Sequence, residues 1–227
     1  LAIATPAAQA VANVTQDSPI LVTAVTDPAD AKLVKDNKAP GGNVTGTSDL
    51  TPVKEQIDLI KQIIPDVKTI GILYTSSESN SLFQVNLAKQ AAANLGIEVI
   101  EGTVSSSNEI QQVAQSLVGK VEAIYVPTDN MMAAGMSTIS MVMEPAKIPV
   151  IVGEEGMVAN GGLATYGINY YNLGKLTAQQ AVAILRDGKK PADMPIEYLT
   201  ELNFSLNQEV ADAIGVEIPA ELLAKVK

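Results

Sequence analysis

The sequence predicts an α/β fold in which parallel strands are covered by helices on both faces. Three observations point there. Short β-rich runs alternate along the chain with amphipathic helical stretches. Most of these runs are apolar from end to end, the pattern of strands buried on both faces. The runs also end in Thr, Asp, Asn and Pro, the residue types that start helices.

In chain order the strand candidates are Leu1–Ala4, Ile20–Val25, Ile70–Tyr74, Glu98–Val104, Ala123–Val126, Val150–Val152, Leu163–Tyr166 and Ile196–Glu201. Helical faces fall between them. Val53, Ile57, Ile60 and Ile64 recur at spacings of four and three. Leu82, Val85, Ala88, Ala92 and Leu95 do the same, and Gly96 follows as a stop. Ile110, Val113 and Leu117 repeat the pattern before Gly119, and Leu173, Leu176, Gln180, Ala183 and Ile184 before Gly188. Met131, Met132, Met136, Met141 and Met143 read as helical core, with one or two able to border an apolar pocket. Two stretches read as places where the chain changes domain: Pro40–Gly46, which is Gly-rich, and Tyr166–Tyr171. The first is not a phosphate loop, because no Gly-Lys-Ser/Thr follows it.

The strand exits carry the functional signal. Ala4 leads into Thr5-Pro6, Val25-Thr26 into Asp27-Pro28, and Val126 into Pro127-Thr128-Asp129-Asn130. Each exit taken singly reads as plain helix capping. Several of them on one edge read as a ligand site, since open α/β sheets bind ligands outside the carboxyl ends of their strands, near helix N-termini that favour anions.

Composition removes whole classes of function. The 227 residues are 47% hydrophobic and 18% charged, ample for a folded core. The net charge of −10 disfavours nucleic acid, which wants clustered Lys and Arg. Without Cys there are no disulfides, thiolate nucleophiles or Cys-ligated metals. Without His there is no Ser-His-Asp triad and no His-containing zinc site. No metal and no cofactor is expected. No apolar run reaches the roughly 18 residues of a membrane span. The chain opens directly on an apolar strand, so an earlier segment carrying any targeting sequence is expected to precede it.

Val25-Thr26-Asp27-Pro28, Pro40-Gly41-Gly42-Asn43-Val44-Thr45-Gly46, Ile70-Gly71-Ile72-Leu73-Tyr74 with Ser79-Asn80-Ser81, and above all Leu163-Ala164-Thr165-Tyr166-Gly167-Ile168-Asn169-Tyr170-Tyr171-Asn172-Leu173-Gly174 occur in that order. Pro191–Ile196 and Ala213–Pro219 complete the set. This ordered set resembles the ABC transporter substrate-binding family that includes tryptophan-binding members. Each motif is weak alone; together they cover nearly the whole chain. The resemblance implies a type I periplasmic-binding-protein fold: two Rossmann-like lobes with parallel sheets, joined by a three-strand hinge, closing on a ligand between them. It places the first lobe at residues 1–49 plus 169–197 and the second at 50–168 plus 198–227. The crossings fall near Gly46–Leu50, Ile168–Tyr171 and Pro195–Glu201. The family's first β-α-β lies ahead of this sequence, so the first lobe is expected to be incomplete. A membrane permease is the implied partner and a monomer the implied state. An extracytoplasmic lipoprotein, on the cell surface or periplasmic, is the implied setting.

With an amino-acid ligand, as in tryptophan-binding relatives, Thr5, the backbone around Ala7, and Thr26 would receive the carboxylate at helix starts, with Asp27 beside them. Asp129, next to Asn130, is the first choice for the ammonium; Glu154 and Glu155 follow. Ser77, Glu78, Asn80 and Ser81 either contact the ligand or cap the helix they precede. Tyr166 and Tyr170 either pack on the ligand or stiffen the hinge. Two other readings stay open: an effector-binding domain of a transcriptional regulator, and a carboxylate-dependent enzyme using Asp129 with Glu154.

Overall fold

The computed structural model describes residues 1–226; Lys227, the last residue of the expected second lobe, lies outside the described residues. The strands are β1 (Ala2–Ile3), β2 (Ile20–Val25), β3 (Val44–Ser48), β4 (Thr69–Thr75), β5 (Glu98–Val104), β6 (Ala123–Val126), β7 (Val150–Val152), β8 (Ala164–Gly167), β9 (Glu197–Tyr198) and β10 (Asn203–Leu206). The helices are α1 (Thr5–Ala12), α2 (Val53–Ile63), α3 (Ser79–Asn94), α4 (Ile110–Leu117), α5 (Asn130–Ala134), α6 (Met136–Met143), α7 (Glu155–Ala159), α8 (Tyr170–Leu185), α9 (Gln208–Ile214) and α10 (Ala220–Leu223). They form two compact units, each with its own sheet.

The first unit holds residues 1–50, 78–80 and 168–202. Its sheet runs β1-β2-β3-β9, parallel throughout. Ala8, Ile20, Val22, Val25, Val44 and Ile196 form much of its core. The stretch around Pro40–Gly46, expected as a domain change, instead feeds β3, an interior strand of this unit. Its sequence Val-Thr-Gly-Thr-Ser lacks an apolar run, yet all five residues are buried. Internal partners make that possible, since a buried hydroxyl is costly only when unbonded. Thr45 Oγ1 donates to the Met194 carbonyl at 2.7 Å. Thr47, Thr23 and Thr177 close a hydroxyl cluster with separations of 2.8–3.0 Å. Gly46 is required between them: at φ +151 its missing Cβ would lie 1.9 Å from the Val22 carbonyl oxygen.

The second unit holds residues 51–77, 81–167 and 203 onward. Its sheet order is β10-β8-β7-β6-β4-β5, parallel except for β10, which runs antiparallel to β8. Successive residues along a strand enter opposite cores, as the period of two demands. Ile70, Ile72, Tyr74, Ala123 and Tyr125 pack under α2, α3 and α9, whereas Leu73, Ile124 and Val126 pack under α4 and α6. Two covered faces explain the unbroken apolar runs in the sequence. Met132, Met136 and Met143 are core, while Met141 is exposed. The buried face of α3 is Ser81, Gln84, Val85, Ala88 and Ala92; Leu82, expected on it, is 41% exposed. Residues 198–202, expected with the second lobe, group with the first unit.

Candidate functional site

β7, β6 and β4 are neighbours, so the segments leaving their carboxyl ends share one edge of the second sheet. Asp129 sits there, 1% exposed, as the N-cap of α5. Its Oδ1 accepts from the Met132 amide at 2.9 Å and from Thr75 Oγ1 at 2.8 Å. Its Oδ2 accepts from the Thr75 amide and from Ser81 Oγ, both at 2.7 Å. A carboxylate has about four acceptor sites. Four donors of its own unit thus draw on that capacity. Asp129 is therefore a keystone joining β4, α3 and α5, which differs from the ammonium acceptor expected from sequence.

Two buried glutamines fix the rest of this edge, and sequence reading missed both. Gln84 accepts from the Thr128 amide at 3.0 Å and donates to the Thr128 carbonyl at 2.9 Å. Gln56 donates to the carbonyls of Tyr166 at 2.8 Å and Gly153 at 3.2 Å and accepts from the Tyr125 hydroxyl at 2.8 Å. Both side chains are fully buried. Gly153 must lack a side chain, because a Cβ there would stand 2.3 Å from the Thr128 amide nitrogen. The missed signal is a Gln on a face otherwise apolar: Gln56 lies three residues after Val53 and four before Ile60. An amide at such a position must find partners inside.

The remaining candidates divide. Glu154 caps α7, accepting from the Gly156 and Met157 amides at 2.6 and 2.7 Å. Tyr166 stacks at a tilt on Phe204, with centroids 5.2 Å apart, and accepts from Lys225 at 3.0 Å, so it serves the β8–β10 packing. Glu78 and Asn80 are buried, with Asn80 Nδ2 donating to Glu78 Oε2 at 3.1 Å. Ser77 and Asn130 are exposed. The Tyr170 hydroxyl donates to Asp49 Oδ2 at 2.9 Å, within the first unit.

In the first unit, Thr5 and Thr26 are buried at the carboxyl ends of β1 and β2, while Ala7 is exposed. Ala4, just before α1, holds φ +69, a strained conformation for a residue with a Cβ and a recurrent feature of ligand sites. Asp27 Oδ1 accepts from the Ala29 and Asp30 amides and from Asn37 Nδ2 at 2.9–3.0 Å. Asp27 is thus a turn former rather than an outward ligand group. Among the described residues no group of three or more His, Cys, Asp or Glu could hold a metal ion.

Tyr74 donates to Glu101 Oε2 at 2.7 Å, and Lys89 contacts the same carboxylate. Burial, then that hydrogen bond, pushes Tyr74 up to about 12, and burial pushes Tyr125 up as well. Lys89 first and Tyr74 second hold the Glu101 carboxyl below its usual range. A phenol raised in the folded state stabilises the fold fully below its unfolded value. That stability is lost as pH rises from about 10 toward 12. In an alkaline absorbance titration, phenolate formation in folded protein should therefore lag that in denatured protein across this window. Coincident curves would contradict the burial of these two hydroxyls.

Residues 1–227 match the family model described as ABC transporter substrate binding protein. The chain is 43% identical over 216 residues to a tyrosine-binding protein of Clostridioides difficile (strain R20291), covering 95% of this chain and 62% of that relative. It is likewise similar to an ABC domain from Streptococcus pneumonia solved in complex with L-Trp: 43% identity, TM-score 0.94, 99% of this chain and 76% of that one. A conserved domain protein from Vibrio cholerae O1 biovar El Tor matches at 39% identity and TM-score 0.96, again over 99% of this chain and 76% of that one.

Proposed function

The chain belongs to the ABC transporter substrate binding protein family, and we propose that it is the solute-binding component of an ABC importer that captures an amino acid, aromatic ones foremost. The observation that carries the reading is that two relatives at 43% identity bear aromatic amino acids in their names, tyrosine in one and L-Trp in the other. The chain spans 62% of the length of the tyrosine-binding relative, and the substrate is accordingly part of the proposal. Binding without chemical conversion fits a chain with neither His nor Cys.

In this proposal the ligand's ammonium goes to Glu78, oriented by Asn80. Asp129 already accepts from four donors of its own unit and Glu154 caps a helix, which favours Glu78 over the two carboxylates first expected in the role. The carboxylate goes to the Thr5 and Thr26 hydroxyls and the first amides of α1, around Ala7. Ser77, Asn130 and Met131 supply further contacts. Among the described residues no helix is long and apolar enough to cross a membrane. An extracytoplasmic setting with a lipid anchor, and a permease as partner, complete the proposal.

Native mass spectrometry of the intact protein, followed by thermal shifts with the twenty amino acids, tests it. An aromatic amino acid at many times its Kd should raise Tm by several degrees. No shift with any amino acid would overturn the reading.

A further inference from the structure

We propose that Gln84, which needs no contact with the ligand, is a positioning residue that sets ligand affinity by holding the β6–α5 loop in its binding geometry. The proposal rests on the amino-acid reading of this same edge. The loop Pro127–Asp129 has no regular secondary structure of its own. Pro127 has no amide hydrogen to anchor it. The anchoring comes from one face of α3, where Ser81 and Gln84 lie three residues apart and so point the same way. Ser81 takes the Asp129 carboxylate at 2.7 Å, and Gln84 takes both main-chain groups of Thr128, at 3.0 and 2.9 Å. A carboxamide that accepts from an amide and donates to the same residue's carbonyl imitates a neighbouring strand.

The clamp passes sideways. Thr128 stands against Gly153, whose carbonyl is held in turn by Gln56 at 3.2 Å. The ends of β6, β7 and β8 are thereby locked to α2 and α3 through two fully buried amides. These glutamines cost side-chain entropy and desolvation in a core that apolar residues could fill. What they provide is a loop whose main chain has one arrangement. A binding loop ordered before the ligand arrives loses no affinity to ordering it afterwards. Asn130 and Met131 follow directly on this loop as the first turn of α5, so their placement depends on it.

The test uses the intact protein with L-tyrosine and L-tryptophan as probes. Gln84→Met keeps the volume and removes the two hydrogen bonds to Thr128. If the competent loop then falls to a tenth of the population, affinity drops about tenfold, with the loss mostly in the association rate. Unfolding should remain cooperative. Affinity unchanged within about twofold, at a temperature well below Tm, would overturn the proposal, since a merely structural residue moves Tm alone. A second measurement uses the wild type, whether or not the variant folds: hydrogen exchange at the Thr128 amide. It should be strongly protected without ligand and gain little on adding it. Protection that arises only with ligand would overturn the proposal. Wild-type protein that binds neither amino acid would sink the underlying reading, and this proposal with it, by a result distinct from either outcome above.

Discussion

Asp129→Ala is expected to lower the free energy of unfolding by about 3–5 kcal/mol, whether or not ligand is present. Removing the carboxylate strands the amides of Thr75 and Met132 and the hydroxyls of Thr75 and Ser81 in a site 1% exposed. Each stranded donor costs about 1–3 kcal/mol, less whatever water can enter to bond it. The loss is a large share of the 5–15 kcal/mol typical of folded domains. Asp129→Asn should lose less, because it keeps the shape and one acceptor while placing an amide hydrogen where a donor already points. Urea unfolding with the slope held fixed gives the number. A variant of wild-type stability that loses only ligand affinity would return Asp129 to the ammonium role and remove Glu78 from it.

Gln56→Ala should cost a similar amount, about 3–5 kcal/mol, through a different sum. The substitution opens a cavity in the larger core of the second unit. It also leaves the Tyr125 hydroxyl and the carbonyls of Gly153 and Tyr166 without their partner. Gln56→Met separates the two contributions, since it fills most of the space and restores none of the bonds. The alanine variant should be less stable than the methionine variant, and both less stable than wild type. If Gln56→Met matches the wild type, the amide network contributes nothing and the glutamine is there for volume alone.

Much of the fold was legible because parallel strands buried on two faces must be apolar throughout. Ile20–Val25, Ala123–Val126 and Val150–Val152 were read from that property, and they are β2, β6 and β7. β3 was not legible for the converse reason. Its burial rests on hydroxyls that find partners from distant segments, Met194 and Thr177, and no local pattern announces a partner about 130 to 150 positions away. β10 escaped because Asn203–Leu206 is a short antiparallel strand at the sheet edge, with alternating polarity and no apolar run.

At the site, the exits were found but the roles were not. A strand exit rich in Asp and Thr shows that polar groups gather on an edge. It does not show which face outward and which are consumed in building the edge. Asp27, Asp129 and Glu154 all turned out to satisfy backbone amides of their own or adjoining segments. The useful signal lay in the helices behind them, where Gln56 and Gln84 occupy positions that helical periodicity assigns to the core.

In the proposed reading the protein holds an amino acid by its ammonium as well as its carboxylate. Calorimetric titration of the intact protein with L-tryptophan and L-tyrosine, set beside indole-3-propionate and 4-hydroxyphenylpropionate, tests it directly. The paired ligands differ only in the ammonium group. A charge-assisted bond to a buried carboxylate is worth about 1.5–3 kcal/mol, so each amino acid should bind roughly 10- to 150-fold more tightly than its deaminated analogue. Equal affinity within each pair, or no binding heat from either amino acid, would contradict the account.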